Sequence, residues 1–415
     1  LFSRDEFAKT LKERVPDAAR MPRPLDGIVV LDCSRLLPGP FATQLLANLG
    51  ADVIKIEDPG LGDYMRVVPP LVDGTSYPFL MVNRGKRSAV IDLRTREGRG
   101  VLYRLAKKAD VFIEQFRPRT TKALGIDYPR IRRANPRIVY CSFGGFGRTG
   151  PYANKPGHDL NFEALAGILS VTSTEGGRPA IPGVPVSDLA SALLAATSIT
   201  ASLLRRERFG GGEFLDVSIF DASLSLMVLN LAHYLGTLEL PAAGETIVTG
   251  VFPFYNLYET KDGRWLSVAC VEGKFWRRLC ELLGLAAHID EQFAGGEVGK
   301  HVMRNLQEAF RRRTLAAWTE LFDAEDLPVS PVRTMDEVVD DPHVKARGLL
   351  PLVSVGAGKR RVLAHPAKLH ASGVRTPANA PRRGEHTDEV LRWAGFTRSQ
   401  IAALRAKGAV GLTDP

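Results

Sequence analysis

The side chains best suited to chemistry in this chain stand where helices begin. His158 and Asp159 follow a Pro-Gly turn in Lys155-Pro156-Gly157-His158-Asp159-Leu160-Asn161 and open an apolar helical run. An imidazole can take or give a proton near neutral pH, and the first N–H groups of a helix are donors without an internal partner. The plainer role of this pair is capping, for which Asp is well suited. Asp188 opens a second helix, in Val184-Pro185-Val186-Ser187-Asp188-Leu189-Ala190-Ser191-Ala192. It too reads as an N-cap, beside small residues that leave room for a ligand. Glu272, in Ala269-Cys270-Val271-Glu272-Gly273-Lys274, follows a strand. It reads as a first-turn acid that suits the helix dipole. The four cysteines, Cys33, Cys141, Cys270 and Cys280, form neither a CxxC pair nor a metal-ligand pattern. Reduced, partly buried thiols of a cytoplasmic protein are expected, with no metal.

The elements that position these residues show in the hydrophobic pattern. Ile28 to Leu31 is a β-branched run, followed by the turn Leu37-Pro38-Gly39-Pro40. Phe41, Leu45, Leu46 and Leu49 then recur at helical spacing up to Gly50, and Val53 to Ile56 is a second strand. Strand, helix, strand is a βαβ unit and predicts a parallel sheet. Ala89 to Asp92, Val111 to Ile113, Ile138 to Cys141 and Phe214 to Ile219 extend the sheet, and helices are expected over Gly98 to Lys108 and Leu189 to Arg208. The first βα turn lacks a dinucleotide glycine fingerprint, so no dinucleotide site is read there. Gly210-Gly211-Gly212 precedes a strand and reads as a turn. From about Pro241 the texture changes. A hairpin is expected over Phe252 to Tyr258 and Trp265 to Cys270, then helices over Lys274 to Leu283, Val302 to Arg313 and Leu315 to Asp323. Strands at Pro331 to Arg333 and Val362-Leu363 and helices over Thr387 to Trp393 and Arg398 to Ala406 close the chain.

The fold class expected is α/β, a Rossmann-like large domain with a parallel sheet plus a smaller α+β domain. The expected boundaries are an extension over 1–24, the large domain over 25–224, the small domain over 225–330 and a return to the large domain over 331–415. Leu1 to Arg20 carries charges of both signs and reads as an amphipathic helix rather than a signal or transit peptide. A first residue other than Met suggests a trimmed start. No run of 18 apolar residues occurs, so no membrane partner is expected. The net charge of +9 suits an anionic partner, but it is dispersed and no nucleic-acid motif appears. A charged small molecule is the better match.

Many stretches, in order, resemble the family III coenzyme A enzymes, which include CoA-transferases and α-methylacyl-CoA racemases. They are Leu25-Asp26-Gly27, Pro38-Gly39-Pro40, Leu49 to Glu57, Asn83 to Ser88, Ala109-Asp110-Val111, Phe116-Arg117-Pro118, Gly147 to Pro151, Pro253-Phe254-Tyr255, Asp262-Gly263 and Gly384 to Thr387. The resemblance implies an acyl-CoA substrate, no cofactor beyond the coenzyme A it carries, and an interlocked dimer of identical or related chains. It implies that transferases use an Asp at position 188 as nucleophile, through aspartyl-CoA. Racemases use that Asp and the His of Gly157-His158-Asp159 as paired bases, with Glu272 tuning the imidazole and the Asp159 N–H facing an enolate. Pro38-Gly39-Pro40 is closer to racemases. Thr249 to Phe252 and the residues after Asp188 depart from the racemase pattern, and Asp58-Pro59-Gly60 with Gly62-Asp63 and Arg66 is of a kind common among transferases. By position, Lys55, Arg84 and Arg117 are expected on the coenzyme A phosphates. The best reading is epimerisation of 2-methylacyl-CoA thioesters. The alternatives are coenzyme A transfer and a non-catalytic acyl-CoA-binding subunit.

Overall fold

The computed structural model describes residues 21–411 except 174–176, 242, 245, 247 and 357. The helix expected over Leu1 to Arg20 lies outside the described residues. The chain forms two compact units. One contains the chain up to Phe162, Pro185–Ser223 and everything from His343 onward; the other contains Glu163–Val184 and Leu224–Pro342.

The first unit is built on six strands: β1 (Val29–Cys33), β2 (Asp52–Glu57), β3 (Arg87–Val90), β4 (Val111–Glu114), β5 (Val139–Gly144) and β6 (Glu213–Ser218). Their order is β3-β2-β1-β4-β5-β6, and every neighbouring pair is parallel. This is the doubly wound order, and the strand order reverses between β1 and β4. The central strands carry apolar residues on both faces because helices cover both. Val30, Val53, Val111 and Val139 face one layer, with Leu46 of α1 (Pro38–Asn48). Leu31, Ile54, Phe112 and Tyr140 face the other, with Leu102 and Leu105 of α2 (Arg96–Ala106). The helices Thr387–Trp393 and Arg398–Ala406 pack Val390, Leu391 and Ile401 into that second layer, so the end of the chain completes the unit begun near its start.

Two helices that begin in this unit carry the predicted chemistry at their starts, α3 (Asp159–Leu165) and α4 (Val186–Phe209). The turn Gly210-Gly211, with φ of 73° and 72°, ends α4 and returns the chain to β6, as the strand after these glycines required. The α4 helix is long and apolar enough to cross a membrane. Its Ala192, Ala195, Ile199 and Leu203 nevertheless lie in the core beneath the sheet, and Arg206 on the same face pairs with Asp110 at 2.9 Å.

The second unit holds an antiparallel sheet of β7 (Tyr255–Glu259), β8 (Trp265–Ala269) and β9 (Val329–Pro331), with β8 central. The helix α5 (Gly273–Leu283) and the helices Gly296–Phe310 and Leu315–Asp323 pack Trp276, Phe310 and Trp318 against it. The units differ from the expected domains in that Glu163–Val184 groups with the second unit, which runs on to Pro342; the other differences from the sequence reading are local. The strand expected at Val362-Leu363 lies just beyond the hairpin Leu352–Val355 and Gly358–Arg361. The expected strand at Ala89 to Asp92 begins and ends two residues earlier, since the chain turns at Asp92.

Candidate active site

The carboxyl ends of the strands in a doubly wound sheet form a crevice where the strand order reverses. In this unit the crevice is two adjoining clefts. One, of about 680 Å³, is lined by Arg35 and Leu36 after β1, Phe116 and Arg117 after β4, Gly145 after β5, and His158. The other, of about 400 Å³, runs toward β2 and β3 and is lined by Ile56, Asp58, Asp92 and Arg94. Arg35, Tyr64, Phe116 and Thr120 border both.

His158 occupies the position just before α3. Its N–H donates to Asn161 Oδ1 at 3.0 Å, and its carbonyl accepts the Asn161 N–H at 2.8 Å. This reciprocal cap consumes the backbone and leaves the exposed imidazole on the cleft. The approach of the chain explains two glycines. A Cβ on Gly157 would come within 2.9 Å of the Phe162 ring, and one on Gly145 within 2.8 Å of it. Phe162 is buried against Phe146, with ring centroids 5.1 Å apart. The ring of Phe162 thus wedges between the two glycines and fixes the turn that presents His158.

Asp159 is the first residue of α3, and its carboxylate serves another helix. Asp159 Oδ1 accepts the N–H of Asp188 at 2.9 Å. The residue before α4 is Pro185, whose side chain offers no cap, so Asp159 caps α4 from outside. Asp188 is therefore not the N-cap that its sequence context suggested; it is the third residue of the helix, half-buried. Ser187 beside it is buried and accepts a hydrogen bond from Ser223 Oγ at 2.7 Å, which fixes the start of α4 from the other side. The structure thus brings His158, Asp159 and Asp188 together within the first unit. Glu272 stands on the second unit, exposed, at the residue preceding α5.

The three expected phosphate cations differ in fate. Arg117 is half-buried and lines the larger cleft. Lys55 is fully buried; its Nζ lies 2.7 Å from Asp63 Oδ2 and donates to the Ser34 carbonyl at 3.0 Å. Burial opposes its charge, but Asp63, Asp32 and Glu57 outweigh burial and hold the ammonium above the ordinary lysine range. Arg84 is also fully buried and donates to the carbonyls of Met81, Leu363 and Pro377. The assignment of Lys55 and Arg84 to a ligand is corrected by this geometry, because neither side chain is open to one. Sequence reasoning missed the cations that are open to the clefts, Arg35, Arg94 and Lys155. The available signal was that Arg35 and Arg94 follow soon after strands of a doubly wound sheet. Arg35 sits with its guanidinium carbon 5.0 Å from the Tyr64 ring centre and 5.0 Å from that of Phe116, a cation between two aromatic faces.

Below the cleft, Glu114 ends β4 with its carboxyl buried. Burial pushes it up to about 7, against the Phe116 N–H at 2.8 Å and Arg148 at 3.4 Å, which favour the charge. All four cysteines are buried and free.

Residues 25–387 match CoA-transferase family III. The chain is 33% identical over 386 residues to the human α-methylacyl-CoA racemase, covering 92% of this chain and 96% of that protein. It is also 33% identical over 381 residues to the human succinyl-CoA:glutarate CoA-transferase, covering 89% and 86%. Among solved structures it resembles a CAIB/BAIF family protein from Brucella suis, with a TM-score of 0.79 at 30% identity, covering 90% of this chain and 100% of that one.

Proposed function

The chain belongs to CoA-transferase family III, an enzyme family of racemases and CoA-transferases, and from that membership we propose that it epimerises 2-methylacyl-CoA thioesters. The observation that carries this reading is the hydrogen bond from the Asp188 N–H to Asp159 Oδ1. It ties the residue beside His158 to the residue that would act on the opposite face of the substrate carbon. Moving a proton across a carbon needs two bases, one free and one protonated at any moment. In one direction neutral His158 removes the α-proton while protonated Asp188 returns one to the other face; the reverse direction exchanges these roles. The negative charge that develops on the thioester oxygen needs a donor fixed in advance, and the Asp159 N–H takes that part. Glu272 keeps the role of a carboxylate that orients and tunes the imidazole.

Coenzyme A is long and polyanionic, and two adjoining clefts with cations along them suit it. Arg35, Arg94, Arg117 and Lys155 are the cations assigned to its phosphates, in place of Lys55 and Arg84. A guanidinium suits phosphate because it donates two parallel hydrogen bonds.

A second reading is coenzyme A transfer, in which the Asp188 carboxylate attacks the thioester and passes through a mixed anhydride to aspartyl-CoA. The equal identity to a transferase and to a racemase favours keeping it, as does the Gly62-Asp63 stretch that borders the smaller cleft. One experiment separates the readings. The protein is incubated in heavy water with a single 2-methylacyl-CoA epimer and no free acid. Deuterium uptake at the α-carbon with epimerisation, lost in His158→Ala, supports the first. No exchange, but movement of coenzyme A once a carboxylic acid is supplied, replaces it with the second. A protein that binds the thioester and does neither would be a silent acyl-CoA-binding subunit.

A further inference from the structure

Leu36 has a φ of 64°, in the left-handed region that side chains other than glycine avoid. It lies in the first turn after β1 and lines the larger cleft. Something must hold it there, and the hydrogen bonds identify what. The Leu36 N–H donates to Asp63 Oδ1 at 2.8 Å, and the same oxygen accepts the Met65 N–H at 3.0 Å. Asp63 therefore fixes two separate segments at once: the turn that carries Arg35, and the short helix Tyr64–Val67 that carries Tyr64. Its other oxygen faces Lys55 Nζ at 2.7 Å, with both side chains sealed from solvent. Lys55 in turn holds the Ser34 carbonyl, and Asp32 accepts the Ser34 N–H at 2.9 Å. The Asp63 N–H donates to Glu57 Oε2 at 3.0 Å, which fixes the aspartate itself.

The consequence is on the surface. Arg35 and Tyr64 stand against each other at the border shared by both clefts. A buried ion pair contributes little to stability beyond what an apolar pair of the same size would give. Its use in this turn is conformational. We propose that Asp63, held by Lys55, is a positioning residue for coenzyme A binding, keeping Leu36 left-handed and so setting Arg35 and Tyr64 at the join of the two clefts. The proposal rests on the acyl-CoA reading of those clefts. It also accounts for a lysine at position 55 that no ligand can reach.

The test uses the full chain, free coenzyme A as probe in isothermal titration calorimetry, and hydrogen exchange of peptides covering 34–40. Asp63→Ala is expected to weaken coenzyme A binding by about tenfold, the factor that corresponds to about 1.4 kcal/mol, and to speed exchange in the turn. Adding Leu36→Gly to Asp63→Ala is expected to recover most of the affinity, because glycine adopts the left-handed conformation without a steric penalty. A general loss of stability would not be rescued in this way. Should Asp63→Ala fail to fold, Asp63→Asn carries the test, since it keeps an acceptor oxygen but no charge opposite Lys55; a weaker complex and faster exchange are again expected. A folded Asp63 variant that binds coenzyme A within about twofold of the parent overturns the proposal. If the parent itself takes no coenzyme A, the acyl-CoA reading fails, while unchanged exchange over 34–40 in the variants would separately overturn the role of Asp63.

Discussion

Glu114 shows how a single buried carboxyl can set the pH response of the sheet's carboxyl edge. Its folded-state value of about 7 stands above the ordinary glutamate value of 4.5 because burial penalises the anion. Between those values the unfolded chain has released the proton and the folded chain still holds it. The unfolded state then binds fewer protons, so stability falls as pH rises from about 4.5 to about 7. This one group accounts for at most about 3 kcal/mol of that fall. Thermal melts of Glu114→Gln are expected to lose part of the decline between pH 5 and pH 7.5 (roughly the span between the two states' values); an identical slope in variant and parent would remove Glu114 as its source. At the reacting carbon, His158→Ala is expected to cut α-proton exchange by about 10²–10⁴-fold while leaving coenzyme A affinity near that of the parent. At this scale His158, Asp159 and Asp188 were legible as candidates through the family resemblance of their short motifs, while the residues alone suggested helix caps. Lys55 and Arg84 were misread because a sequence reports a charge and not whether that charge is buried.

At the scale of elements, the start of α4 depends on a side chain from another helix. Removing a side-chain cap costs about 1 kcal/mol, so Asp159→Ala is expected to lower the melting temperature and to displace Asp188, with a loss of turnover larger than the loss of stability. Asp159→Asn keeps an acceptor for the Asp188 N–H and is expected to retain the parent melting temperature; an equal fall in both variants would assign the effect to charge instead of capping. The turn into α1 makes a second test. A Cβ on Gly39 would fall 2.2 Å from Ser34 Cβ and 2.7 Å from Gln115 Oε1, so Gly39→Ala must push apart the loops after β1 and β4. Overpacking of this kind costs about 1–3 kcal/mol, to be read from denaturant unfolding, and is expected to weaken coenzyme A binding through the same loops. The strands and long helices were legible from hydrophobic period. The foreign cap was not, because residues 159 and 188 stand on different helices and meet only once the chain has folded.

For the whole molecule, the charge of +9 reaches the larger cleft, which among the described residues is lined by Arg35, Arg117 and Lys155 and by no carboxylate. Affinity for coenzyme A is expected to fall as salt is raised from about 0.01 M to 0.15 M, the range over which screening shortens from about 30 Å to 8 Å; a flat salt dependence would argue against phosphate recognition by Arg35, Arg94, Arg117 and Lys155. The face of α4 turned from the sheet exposes Leu193, Leu194, Leu204 and Phe209, an apolar extent that monomers seldom leave to water. Light scattering is expected to give twice the 45.3 kDa chain mass, in line with a second copy as partner. A mass of one chain at micromolar concentration would reject that assembly.

The sequence by itself determined the family, the parallel sheet and the identity of His158, Asp159, Asp188 and Glu272 as candidates. Hydrophobic period and local motifs are written in neighbouring residues, and strand-helix-strand spacing leaves few topologies open. Only the tertiary structure decided which charges face the clefts. Lys55, Asp63, Asp32 and Lys86 are charged, yet all four are buried and paired, Lys55 with Asp63 and Lys86 with Asp32. Arg35 is one arginine among many in the sequence, and it borders both clefts because β1 ends where the strand order reverses. Burial and convergence arise from contacts between segments far apart in the chain, and no local pattern encodes them.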